Sequence, residues 1–132
     1  MNKKAFVFLL MAVIFGLGSC LSNKGAPNTS LDWAGVYTGT IPAADVEGIN
    51  VRMKLNKDST YELTYDYIGK PENTFTFNGS FSWNDAGDTI HIEIADAPSY
   101  YKVAKNKLIQ MDMAGNPITG NFANMYVLTK QR

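Results

Sequence analysis

From residue 49 to residue 94 apolar side chains recur at every second position, and this period constrains the fold more than any other feature of the chain. Ile49, Val51, Met53 and Leu55 form one row, and Tyr61, Leu63, Tyr65 and Tyr67 the next. Phe75, Phe77, Phe81 and Trp83 form a third, and Ile90, Ile92 and Ile94 a fourth. Successive side chains of a strand point to opposite faces, so each row predicts one apolar face of a half-buried strand; a helix would need spacings of three and four. The separators carry turn residues: Asn56-Lys57-Asp58-Ser59, Gly69-Lys70-Pro71-Glu72-Asn73, Asn84-Asp85-Ala86-Gly87-Asp88 and Ala114-Gly115-Asn116-Pro117. Such short connections imply antiparallel neighbours. Further strands over 36–41, 100–103, 108–111 and 125–128 bring the total to about eight in roughly 100 residues. A sheet with one apolar face and two edges buries the face and removes the edges by curling on itself, so the expectation is an all-β chain: a small antiparallel meander-like β-barrel of about 6–8 strands. A flat sandwich is the second choice.

The N-terminus reads differently. Lys3 and Lys4 precede thirteen uncharged, mostly apolar residues, 5–17, which end in Leu17-Gly18-Ser19-Cys20. That is the layout of a signal peptide. Thirteen residues at about 1.5 Å rise span about 20 Å, short of a hydrocarbon core of roughly 30 Å, so a transmembrane helix is the poorer reading. Leu-Gly-Ser-Cys looks like a bacterial lipobox, which makes Cys20 the acylated first residue of the mature protein; the plainer alternative is a secreted protein with a chance cysteine. The expected division is a lipoprotein signal peptide over 1–19, the lipidated cysteine with a polar tether over 20–31, and one β-barrel domain over 32–132. Cys20 is the single cysteine, so no intramolecular disulfide can form and the fold must hold by its core. Twelve basic side chains balance twelve acidic ones, and loss of Lys3 and Lys4 with the signal leaves ten against twelve without a long run of either sign. Nucleic acid is therefore not an expected partner.

Between the first two expected strands lies Pro42-Ala43-Ala44-Asp45-Val46-Glu47-Gly48. Its surroundings are Gly35-Val36-Tyr37-Thr38-Gly39-Thr40-Ile41 before it, and Tyr61, Tyr67-Ile68-Gly69, Phe81 to Trp83 and Asp112-Met113-Ala114-Gly115-Asn116-Pro117-Ile118 after it. In this order the segments resemble the N-terminal domain of the copper-resistance lipoprotein NlpE family, from Trp33 to Leu128. In that family the loop reads Leu-Pro-Cys-Ala-Asp-Cys-Glu-Gly-Ile, whereas here Ala43 and Val46 stand at the two cysteine positions. A CxxC offers two thiolates to a soft metal or a disulfide that reports oxidation, and a methyl and an isopropyl group offer neither. The family's copper site is thus not carried over, while Pro42, Ala43, Asp45, Val46, Glu47 and Gly48 remain a candidate interaction loop. For Asp45 a turn-capping carboxylate is the preferred reading over a ligand contact. Longer members of the family carry a second, oligonucleotide-fold-like domain with its own cysteines, and no counterpart of it is expected within these 132 residues.

Other soft ligands could in principle replace the thiols. Met53, Met111 and Met125 fall at expected strand positions where any hydrophobe fits, Met113 continues that row only if the strand runs past Asp112, and His91 alternates with Ile90 and Ile92 and so points to solvent. Core packing and a surface histidine are the preferred readings, and no metal or other cofactor is expected. No nucleophile stands beside a base, so no enzyme is expected either. Two binding functions then compete. As the resemblance implies, the chain would be an envelope-stress or surface-sensing module with an envelope protein or sensor kinase as partner; Leu21 after the lipidated Cys20, in place of an inner-membrane retention aspartate, favours an anchor in the outer membrane facing the periplasm. The alternative is a lipocalin-like carrier of a small apolar ligand or lipid, or a residual metal-binding role in copper resistance. The narrowness of a barrel of this length favours a filled interior over a cavity.

Overall fold

The computed structural model describes residues 25–27, 31–70 and 72–132. The expected signal peptide, Cys20 and most of the tether lie outside the described residues. Eight strands follow in order: β1 Gly35–Ile41, β2 Ile49–Leu55, β3 Thr60–Tyr67, β4 Thr74–Trp83, β5 Thr89–Ile92, β6 Tyr100–Ala104, β7 Lys107–Gln110 and β8 Val127–Lys130. A single 3-10 turn, Ala123–Tyr126, precedes β8. Each strand pairs antiparallel with its neighbours in sequence, and β8 returns to β1, so the sheet closes into a barrel with the meander order expected from the turns. Closure needs a close approach at Gly39, where an added Cβ would lie 2.9 Å from both Leu128 Cδ2 and the Val127 carbonyl oxygen.

The alternating rows are the interior. Val51, Met53 and Leu55 of β2, Tyr61, Leu63 and Tyr65 of β3, Phe81 and Trp83 of β4 and Ile90 and Ile92 of β5 are buried together with Tyr37, Tyr101, Val103, Leu108 and Leu128. Each such side chain contributes about 1.5–3 kcal/mol by leaving water, which is how a domain without a disulfide holds. The outward positions are polar, with cross-strand contacts such as Arg52 with Glu62 at 3.1 Å and Thr40 Oγ1 donating to Asn50 Oδ1 at 2.8 Å. A wall apolar inside and polar outside is the inverse of a membrane-spanning barrel.

At the end where β1 starts, Trp33 packs edge-on against Phe81 and Trp83, with ring centroids 5.8 and 5.3 Å away. The Tyr37 hydroxyl donates to the Trp33 carbonyl at 2.6 Å, and Lys130 Nζ reaches the Asp32 carboxylate at 3.4 Å. Gly25, inside the expected tether, forms a β-bridge with Trp83, so that segment touches the barrel.

Three expectations need correction. Phe75 and Phe77 share the inward parity of Phe81 and Trp83 but are 47% and 36% exposed. The reason is the length of β5, whose register with β4 covers only Phe81 to Trp83, with one more bond from the Glu93 amide to the Ser80 carbonyl at 3.0 Å, so residues 74–79 are paired on the β3 side alone. Met125 is not a core position: it sits in the 3-10 turn, 51% exposed, and β8 begins two residues later. Met111 and Ile94 fall just beyond the ends of β7 and β5, although Met111 is still buried through a lone bridge to Pro117.

Candidate functional site

In a closed meander alternate connections share one end, so the loop over residues 42–48 emerges at the same mouth as 68–73, 93–99 and 111–126 and opposite Trp33. It is fixed at its ends and free in its middle. The Ile41 and Ile49 pair closes its base, and the Gly48 carbonyl accepts the Ile68 amide at 3.0 Å. Gly48 is buried, and a Cβ there would come within 3.0 Å of Thr40 Cγ2 and 3.2 Å of the Ile41 carbonyl oxygen, so a side chain would push the loop off its seat. Between these anchors run four bends without a hydrogen-bonded turn. The exposed Asp45 carboxylate has no hydrogen-bond partner among the described residues, which corrects the capping role expected for it: there is no turn to cap.

The loop divides its candidate residues between two depressions. Ala43, Asp45 and Val46 line one of about 470 Å³ together with Ile49, Tyr67, Lys70 and Asn73. Pro42 and Glu47 face the other way, into one of about 310 Å³ beside Asn124 and Met125. The two positions where the resemblance places thiols thus share one concavity, furnished here by a methyl and an isopropyl group. Among the described residues no three His, Cys, Asp or Glu side chains gather as a metal site. His91 is exposed and stacks flat on Tyr100 across β5 and β6, at 4.2 Å between ring centroids and 4° between planes. Met53 is fully buried, while Met113 is 61% exposed in the turn after β7.

A further concavity at this mouth is one that sequence reasoning missed. Where β4 runs on without β5, a slot of about 430 Å³ opens between Phe75 and Phe77 on one side and Ala95, Asp96, Ala97 and Pro98 on the other, with Tyr65 and Tyr67 at its base. Phe77 meets Tyr65 and Phe75 meets Tyr67 edge-on, at 6.0 and 5.9 Å. The barrel interior holds four buried tyrosines, Tyr37, Tyr61, Tyr65 and Tyr101, that fall into two pairs. Tyr37 and Tyr61 donate to backbone carbonyls, those of Trp33 and Glu93, each at 2.6 Å. The buried hydroxyls of Tyr65 and Tyr101 reach no carbonyl and have only each other. Burial raises both above the ordinary tyrosine range, Tyr101 by far the more, so both remain neutral donors at physiological pH. Their mutual contact pulls Tyr65 down and Tyr101 up, the pattern of the Tyr101 hydroxyl donating to that of Tyr65. The available signal was the pairing register, since the row of four aromatics in β4 reads as uniformly buried until the end of β5 is known.

A wider depression of about 530 Å³ lies on the outer wall across β1 to β4, lined by Thr38, Thr40, Asn50, Arg52, Thr64 and Asp66 among others. Thr40 bonds Asn50 and Thr74 bonds Asp66 across the strands, while Arg52 and Thr64 bond Glu62 and Thr76 outside it, as on a solvated polar face.

Residues 37–121, from the first strand to the connection before β8, match the family described as NlpE N-terminal domain. The lipoprotein NlpE of Escherichia coli strain K12 is 31% identical over 87 residues, which are 65% of this chain and 37% of that protein. A crystal structure of a Shewanella oneidensis chain described as a lipoprotein has a TM-score of 0.72 at 40% identity, covering 81% of this chain and 97% of that one. The crystal structure of the Cpx pathway activator NlpE from Escherichia coli has a TM-score of 0.55 at 28% identity, covering 67% of this chain and 47% of that one. The chain therefore spans less than half the length of both Escherichia coli relatives. The matched stretch includes the loop over residues 42–48 and seven of the eight strands, and on it the chain belongs to the NlpE family, through that family's N-terminal domain.

Proposed function

We propose that this protein is an envelope lipoprotein, anchored by acylation of Cys20 in the outer membrane and facing the periplasm, whose barrel mouth serves as a non-enzymatic interaction module in envelope-stress reporting. The observation that carries the reading is the family match over residues 37–121, which takes in the mouth loop while leaving out the thiols expected there. What remains of the loop suits contact with another protein. Pro42, Asp45 and Glu47 are exposed, Ala43 and Val46 are half-buried, and Gly48 seats the whole. Anchoring rests on Leu17-Gly18-Ser19-Cys20, and the outer membrane is favoured because Leu21 follows the cysteine in place of an inner-membrane retention aspartate. Without thiols at 43 and 46 the module would be blind to copper and to redox state yet able to answer lipoprotein-trafficking stress.

The test is expression in Escherichia coli lacking its own NlpE, with a Cpx-pathway reporter and radiolabelled palmitate. The natural chain should take up label and raise the reporter, Cys20→Ser should lose the label, and Asp45→Lys with Glu47→Lys should keep the label and lose the signal. A labelled, well-expressed natural chain that leaves the reporter at baseline overturns the signalling role, and label persisting on Cys20→Ser overturns the anchor.

A further inference from the structure

We propose that the barrel stands with its Trp33 end against an anionic phospholipid surface and its mouth turned away, held so by a short leash clamped at Gly25. The proposal rests on the anchoring of Cys20 and adds to it which face of the domain meets the membrane. The clamp is a backbone contact. Gly25 forms an antiparallel bridge with Trp83, the last residue of β4. Ile90 of β5 takes the other flank of Trp83, so Gly25 sits on the β3 side, beyond the start of β3 at Thr60. Only glycine fits there, since a Cβ would come within 2.5 Å of the Trp83 carbonyl oxygen and closer still to that of Asn84. Because the bridge is antiparallel, the chain enters Gly25 from beyond the end of β4, the side away from the mouth. Trp33 packs its ring on the same Trp83, so Gly25 and Trp33 are both held at one end of the barrel.

The clamp sets the reach of the anchor. Five residues lead from Cys20 to Gly25, at most about 18 Å of extended chain, whereas the thirteen to Trp33 would reach about 45 Å. Charge supplies a second, independent reason. The mouth connections over 42–48, 68–73, 93–99 and 111–126 carry Asp45, Glu47, Glu72, Glu93, Asp96 and Asp112 against Lys70 alone. At the Trp33 end Lys57, Lys105, Lys107, Lys130 and Arg132 stand against Asp32, Asp58, Asp85 and Asp88. Three of those carboxylates are already engaged, Asp32 by Lys130, Asp58 by Thr60 and Asp88 by Asn84. An anionic surface therefore repels the mouth and not the Trp33 end. Its potential fades within about 8 Å at physiological ionic strength, so it sorts only the ends that the leash lets near. The orientation leaves the loop over residues 42–48 on the far side of the barrel from the membrane, open to a partner.

The experiment uses the full-length acylated protein in vesicles of phosphatidylethanolamine and phosphatidylglycerol, with a thiol-reactive fluorophore on one introduced cysteine and a nitroxide quencher on the lipid headgroups; Cys20, acylated at its sulfur, takes no label. Ala86→Cys, exposed in the connection after β4, should be quenched severalfold more than Ala44→Cys or Ala114→Cys, exposed at the mouth. Gly25→Val should bring the three signals close together with the melting temperature of the barrel unchanged, and a long Gly-Ser insert after Asn23 should do the same without touching the barrel. Replacing phosphatidylglycerol by phosphatidylcholine should narrow the difference without abolishing it. Equal quenching, or stronger quenching at the mouth, in protein that floats with the vesicles overturns the orientation. A full difference kept by both leash variants overturns the clamp, and one indifferent to the lipid replacement overturns the role of charge. A natural chain that fails to float, or that takes up the fluorophore at Cys20, shows instead that the anchor is wrong and removes this proposal with it.

Discussion

Trp83 and Phe75 lie on the same face of the same strand, and the structure predicts very different costs for removing them. Trp83 is 8% exposed and makes edge-on contacts with Trp33 at 5.3 Å and Phe81 at 6.0 Å. At about 25 cal/mol per Å² on about 200 Å² of side chain, burial contributes about 5 kcal/mol, of which an alanine in its place keeps a part. Adding about 0.5–1.5 kcal/mol for each lost ring contact places Trp83→Ala at about 4–5 kcal/mol, at the upper end of large-to-small core substitutions. Phe75 is 47% exposed with a single ring contact, to Tyr67, so the same reckoning gives about 1.5 kcal/mol for Phe75→Ala. Urea unfolding followed by circular dichroism, which does not depend on the tryptophan being removed, should show the difference. With a slope of about 1–2 kcal/mol per molar urea, the two midpoints should separate by more than about 1 M. If the variants unfolded within about 0.5 kcal/mol of each other, beyond the error of the extrapolation, the division of β4 into a walled and an unwalled half would be refuted.

Competition against a Cu(I) chelator should show no tight binding by the natural protein and clear binding by the double variant Ala43→Cys with Val46→Cys; tight binding by the natural protein would redirect attention to Met111, Met113 and His91. Burial, with a smaller effect of Asp32, pushes Tyr37 up to about 12, and burial also raises Tyr61, Tyr65 and Tyr101. Because the folded state favours the neutral phenol, its contribution to stability is complete below the unfolded value of about 10 and disappears as pH rises through the folded value. Tyrosinate absorbance from these residues should therefore rise together with loss of the circular dichroism signal, and ionisation well before unfolding would contradict the burial. Gly39→Ala should cost about 1–3 kcal/mol in thermal unfolding, because its Cβ would meet Leu128 and the Val127 carbonyl at the barrel seam, whereas Thr40→Ala beside it, outward and exposed, should cost under about 0.5 kcal/mol.

The period of two and the turn residues between the rows determine the strands by local rules alone, because side chains on a pleated chain alternate whatever the neighbours are. Hence the interior of β2 and β3, the meander order and the family resemblance of the mouth loop were all legible in the residues. The sequence also shows directly that Cys20 is the single thiol, and with it the absence of a thiol pair at Ala43 and Val46. Pairing length is not a local property. Only the tertiary structure shows that β5 stops at Ile92, leaving Phe75 and Phe77 half in water although their parity matches Trp83, and that β8 starts at Val127, putting Met125 on the surface. The same holds for Asp45, whose turn chemistry is real but whose loop is held at its two ends without any turn between. It holds most clearly for Tyr65 and Tyr101. Nothing along the chain distinguishes them from Tyr37 and Tyr61, and whether a buried hydroxyl finds a carbonyl depends on which backbone the closed barrel brings beside it.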